Sequence, residues 1–250
     1  MTPTETPYPF PYCGPAPEPG TLVWAWNPDP ILWSALAAAT VLGFSHLRRV
    51  GAGPARHRAF AGVLGFAVLA FASPLCALTV ALFTARTVHH LVLLGLLAPL
   101  LAIALPLRRA PAGAAFLVLS AALWAWHVPV IYAAAWDHPA VYWLLQAMLV
   151  LPAWAVWSAV FSARDGLGGA LNAAVPIAAL AGQMGLVGAV LTFAPGPLYL
   201  EHLVHAEAFG LTALGDQQLA GLVMWVPGML PFALHAALSL RAAWRDEARA

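Results

Sequence analysis

The chain contains no lysine; all eleven of its basic residues are arginine. Charge of either sign is scarce, at 8 % of residues, and the formal net charge is +1. No basic patch for a nucleic acid can be built from that, so this class of partner is excluded. Two cysteines, Cys13 and Cys76, are too few for a disulfide framework. Also missing are a glycine-rich phosphate loop, a Ser–His–Asp arrangement, paired catalytic carboxylates and an H-E-x-x-H zinc motif, so the expected role is not enzymatic. The N-terminal stretch MTPTETPYPFPYCGPAPEPG has neither a basic n-region nor an apolar h-region and does not read as a cleavable signal peptide. Phe10, Pro11 and Tyr12 are also wrong for a lipobox before Cys13. Residues 1–29 read instead as an extended, Pro-rich arm.

What is abundant is apolar surface. The apolar fraction is 62 % and the mean hydropathy +0.81, whereas soluble domains hold about half apolar and about a quarter charged residues. The few polar residues could not cover such a core, so lipid must take the place of water. At about 20 residues per span, the apolar runs between Pro, Gly and charged clusters give seven spans, 30–48, 58–76, 86–105, 112–134, 139–162, 171–194 and 216–241. The fold class is therefore all-α, a polytopic bundle of about seven transmembrane helices. It comprises the arm at 1–29, a membrane domain at 30–241 with a long loop at 195–215, and a tail at 242–250. Arg48, Arg49, Arg56, Arg58, Arg108, Arg109, Arg164, Arg241, Arg245 and Arg249 all fall on one side of this arrangement, and only Arg86 falls toward the other. Positive charge is retained in the cytoplasm. The N-terminus is expected outside and the C-terminus inside a bacterial cell membrane.

Once oriented, the histidines divide unevenly. His46, His57 and His235 lie toward the cytoplasm, whereas His89, His90, His127, His138, His202 and His205 gather at the outer face with Asp29, Asp137, Glu201, Glu207, Asp216 and both cysteines. Imidazole, carboxylate and thiol are the groups that bind transition metals. His90 lies about one turn and His127 about two turns below the outer end of neighbouring spans, at about 1.5 Å per residue, so the two can share one ion. The alternative is that each caps a helix end or sits at the interface beside Trp124, Trp126 and Trp136. His202, His205 and Glu207 form H-x-x-H-x-E, either an exposed collecting site or a solvated interfacial helix. Met184 can give a thioether to Cu(I) or simply pack. Asp216 opens the last span, where capping is its default role. Arg86, one turn before His90, is a partner for Asp216 or Glu207 or a snorkelling residue. Cys13 and Cys76 come close enough for a disulfide or for a thiolate pair. Gly182, Gly185 and Gly188 permit close helix approach and mark their span as central.

Five segments resemble a known family: YCGPAPEPGTLVWAWNPDP (12–30), HHLVLLGLLAPLLAIALP (89–106), WHVPVIYAAAWDHP (126–139), MGLVGAVLTFAPGPLY (184–199) and, most specific, LGDQQLAGLVMWVPG (214–228). Together they look like the Bacillus-type CtaG family of cytochrome c oxidase assembly factors. The resemblance implies a seven-span membrane protein that matures a haem–copper oxidase, with copper delivery as its usual assignment. By position it carries His90, His127, His138 and Asp216 over as family-like residues. Arg86, Tyr142 and Gln146 stand where that family often has histidine. The expected metal set is His90, His127, His138, His202, His205, Asp216, Met184 and Cys13, with copper as Cu(I). Expected partners are lipid, oxidase subunits, periplasmic copper chaperones and a second copy of the chain. A haem- or quinol-binding redox subunit and a copper transport protein are the competing readings.

Overall fold

The structure, a computed structural model, describes residues 11–108, 110, 112–163 and 166–247. Arg109, Arg164 and Arg249 lie outside these described residues. Among them the chain is entirely helical and irregular, with no strand. Its first helices are α1 (Pro30–Arg49), α2 (Pro54–Ala72), a short α3 (Pro74–Ala81) and α4 (Phe83–Ala104). Next come α5 (Ala112–Ala125) and α6 (Pro129–Asp137), then α7 (Pro139–Phe161), α8 (Leu167–Phe193) and α9 (Ala213–Arg241), which runs on as helix to Glu247. Six of these are long and apolar enough to cross a membrane, and the count is seven when the bent α5–α6 pair is taken as one span. The fourth span expected as continuous over 112–134 is instead broken, with an 85° bend between α5 and α6.

Proline punctuates this chain. Helices α1, α2, α3, α6 and α7 each begin on one, where its missing N–H would have had no intrahelical acceptor. The residue before each is pushed out of the helical region: Gly53, Ser73, Val128 and His138 have ψ of 168°, 171°, 116° and 109°. Long apolar runs are thereby cut into spans and short crossing pieces. Pro74 ends α2 earlier than the apolar run suggests, and Pro129 breaks the fourth span.

Connectivity puts Arg48, Arg49, Arg56, Arg58, Arg108 and Arg241 at one end of the bundle, the arginine end, where Arg56 Nε donates to Ala104 O (2.9 Å). The arm, α3, α6 and the 194–212 loop close the other end, the arm end. Helix α1 is peripheral, burying only Leu32 and Leu47. Helices α8 and α9 approach so closely that a Cβ on Gly188 would meet Gly221 O at 2.7 Å. Of the glycines expected to pack, Gly188 does so most tightly, Gly185 faces Trp225 and Met229, and Gly182 meets nothing. Trp157 Nε1 donates to Leu94 O (2.9 Å), inside the Leu93–Leu97 π-helical segment of α4, and so fastens α7 to α4.

Candidate functional site: a buried imidazole and guanidinium cluster

The site is assembled at the arm end around the first turns of α4. The Asp216 carboxylate accepts from Phe83 N (2.6 Å) and Thr84 N (3.0 Å), while Thr84 Oγ1 donates to Asp216 O (2.9 Å). Asp216 thus caps α4, a neighbouring helix, whose positive end suits a carboxylate. Its own helix is capped by Thr212, whose Oγ1 accepts from Gly215 N (3.0 Å). Both carboxylate oxygens are engaged in positioning α4. The next residue, Gln217, holds the loop: its Oε1 accepts from Leu198 N (2.6 Å).

Helix α4 presents Arg86, His89 and His90 inward, all buried. His89 packs edge-on against Phe71 (5.4 Å between centroids) and His90 against Trp126 (4.8 Å). Centroid separations of 5.7 Å for His89–His90 and 6.5 Å for His90–His127 make a row of three imidazoles. His127 lies in the α5–α6 break, where its Nδ1 bonds Leu123 O (2.7 Å) and its own carbonyl accepts from Tyr199 OH (3.0 Å). That bond makes Nδ1 the protonated nitrogen and leaves Nε2 as the acceptor.

The Arg86 guanidinium meets neither Asp216 nor Glu207. It is 5 % exposed, lies 5.6 Å from the ring centroids of both Trp126 and Tyr142, and pairs with no carboxylate among the described residues. Tyr142 and Gln146, one turn apart on α7, are buried as well. The ring nitrogens of His89 and His90, Arg86 Nε and Nη1, Trp126 Nε1, and the Gln146 amide all lack a hydrogen-bond partner among the described residues. Buried polar groups are ordinarily satisfied, so this concentration makes the cluster the candidate functional site.

The arm forms a roof over the cluster. Cys13 is disulfide-bonded to Cys76 with Cα atoms 5.3 Å apart, so Cys13 offers no thiolate to a metal. Tyr12 stacks on Tyr142 (5.0 Å) and donates to Asp29 Oδ2 (2.7 Å). This hydrogen bond, ahead of the amides of α1, holds the Asp29 carboxyl below its usual range. Asn27 fastens the arm to the end of α2 through Phe71 O (3.2 Å) and Ala72 O (2.9 Å). Its described part, residues 11–29, folds in turns and a short 3-10 helix at Leu22–Trp24.

The remaining candidate ligands scatter. His202 is buried, not an exposed collector: its Nε2 is 2.8 Å from Tyr132 OH, and its ring meets Trp136 at 5.3 Å. Burial first, and the charge of Arg86 second, push its pKa down to about 3. His205 is half-buried and His138 exposed, at the start of α7. Met184 is packed in the core of α8. No group of three or more His, Cys, Asp or Glu is placed to hold a metal among the described residues. Sequence reasoning missed Trp126 and Tyr132 as members of the cluster, because aromatic residues in an apolar run carry no mark of their partners. It named His89 but could not turn it inward together with His90.

Residues 38–246 match the profile of the cytochrome c oxidase caa3 assembly factor family (Caa3_CtaG). No curated protein and no solved structure matches the chain. The matched span takes in every membrane-crossing helix, most of α1 included, along with the α5–α6 break and the Asp216 cap, so the chain belongs to the caa3 cytochrome c oxidase assembly factor family.

Proposed function

We propose that this member is a non-catalytic assembly factor of the bacterial cell membrane that holds Cu(I) between His90 and His127 for transfer to its haem–copper oxidase. The observation that carries this reading is the His90–His127 pair. His90 has both ring nitrogens unpartnered, and His127 has its Nδ1 anchored on Leu123 O, the outer-shell arrangement that orients metal-bound imidazoles. Metal–imidazole bonds of about 2 Å put two opposed ring centroids roughly 6–6.5 Å apart, and these rings are separated by 6.5 Å. With the Cys13 thiol in a disulfide and Asp216 bonded to the α4 amides, the pair itself supplies two nitrogens, one from His90 and Nε2 of His127. Two-coordinate binding suits Cu(I).

The arm end faces outward on this reading, because the described arginines other than Arg86 lie at or beyond the opposite end. His138 and His205, accessible at the rim, serve as first contacts for copper arriving from a periplasmic carrier.

His90→Ala and His127→Ala are each expected to lower copper occupancy of the purified protein, and to reduce oxidase assembly at near-normal protein level. The double variant should be little worse than either single one, since residues acting as a unit are non-additive. His46→Ala and His235→Ala should do neither. Full copper occupancy and normal oxidase assembly in the first two variants would reject the site.

A further inference from the structure

A cavity lies under the arm, lined by Arg86, Trp126, Tyr132, Tyr142 and the Tyr12–Cys13 roof. Its open volume of about 10 Å³ admits one water-sized or halide-sized occupant. The unpartnered buried atoms of its lining residues are of one kind. Arg86 Nε and Nη1 and Trp126 Nε1 are hydrogen-bond donors with no acceptor capacity. Arg86 is 5 % and Trp126 1 % exposed, so bulk water does not satisfy them. Ring faces of Trp126 and Tyr142 soften the field of the guanidinium, and the Tyr132 and Tyr142 hydroxyls lie within its reach, but none of these carries a full negative charge. The nearby carboxylate is spent elsewhere, since Asp216 binds the amides of Phe83 and Thr84. A buried, permanently charged arginine with no carboxylate in direct contact is costly, and arginine cannot shed its proton to escape.

We propose that this cavity is a monovalent-anion site of halide size, in which a chloride accepts from Arg86 Nε or Nη1 and from Trp126 Nε1. The occupant has to be an acceptor, small, and negative. Water meets the first two conditions and leaves the charge uncompensated. Phosphate and sulfate are too large for the volume. The site requires no copper, so its test is run on metal-free protein and stands or falls apart from the copper reading.

The experiment measures thermal unfolding of the purified, copper-free protein in detergent, with chloride, bromide or gluconate titrated at equal ionic strength. A ligand that binds the folded state alone raises the unfolding temperature in a saturable way. Chloride and bromide should each raise it by a few degrees over gluconate. Trp126→Phe, which keeps the aromatic wall and removes one donor, should shift the halide midpoint several-fold to higher concentration. Arg86→Gln should abolish the halide effect. If Arg86→Gln does not fold, the wild-type titration and Trp126→Phe decide. Equal unfolding temperatures in halide and gluconate would overturn the proposal in favour of a water-filled cavity, and an unchanged halide response in either variant would place the effect elsewhere.

Discussion

Asp216 shows how a polar residue in a membrane protein is assigned by what its oxygens touch. It is fully buried and sits beside a cluster of histidines, which made it a plausible ligand. Its two oxygens instead satisfy backbone amides at the start of α4, the helix carrying Arg86, His89 and His90. Asp216→Asn keeps an acceptor and loses the charge that complements the helix end, so stability should fall by an amount in the capping range of about 0.5–2 kcal/mol. Thermal unfolding measures the loss, and copper stoichiometry of the folded fraction should stay as in wild type. Copper lost at unchanged stability would make Asp216 a ligand after all.

At the scale of elements, the α5–α6 break does for His127 what Asp216 does for His90. Val128 is held extended (φ −87°, ψ 116°) before Pro129, and the chain turns through 85°. His127 therefore bonds Leu123 O instead of continuing a span. Pro129→Ala removes the steric reason for the break, and copper retention after gel filtration should drop several-fold as His127 loses its position. Retention equal to wild type would show that the break is held by α6 packing alone. The spans themselves were legible, because bilayer thickness imposes a length on every apolar run. The break was legible only as a dipeptide, Val128-Pro129, inside an apolar stretch. Apolar length alone does not say whether a proline ends a span or only kinks it. The burial of His202 was equally hidden, since the H-x-x-H-x-E spacing has no term for Tyr132, seventy positions away. Arg86 and Tyr142 stood out as departures from the resembling family's histidines. Their convergence, guanidinium over phenol ring, required the fold.

At the scale of the whole molecule, arginine placement and the polar cluster occupy opposite ends of one helical bundle. The positive-inside bias then predicts that the arm end, with its disulfide and histidines, faces away from the cytoplasm. In intact cells a membrane-impermeant thiol reagent should label His205→Cys and leave His57→Cys unlabelled. The reverse pattern would invert the topology and with it the direction of copper transfer. The central claim is that a pair of imidazoles, and no sulfur, holds the copper. Copper K-edge X-ray absorption of the Cu(I)-loaded protein tests it most directly. The account predicts a low-coordinate Cu(I) centre with two imidazole nitrogens and no sulfur scatterer, lost in His90→Ala. A sulfur shell from Met184 or from a reduced Cys13, or a centre unchanged in His90→Ala, would contradict it.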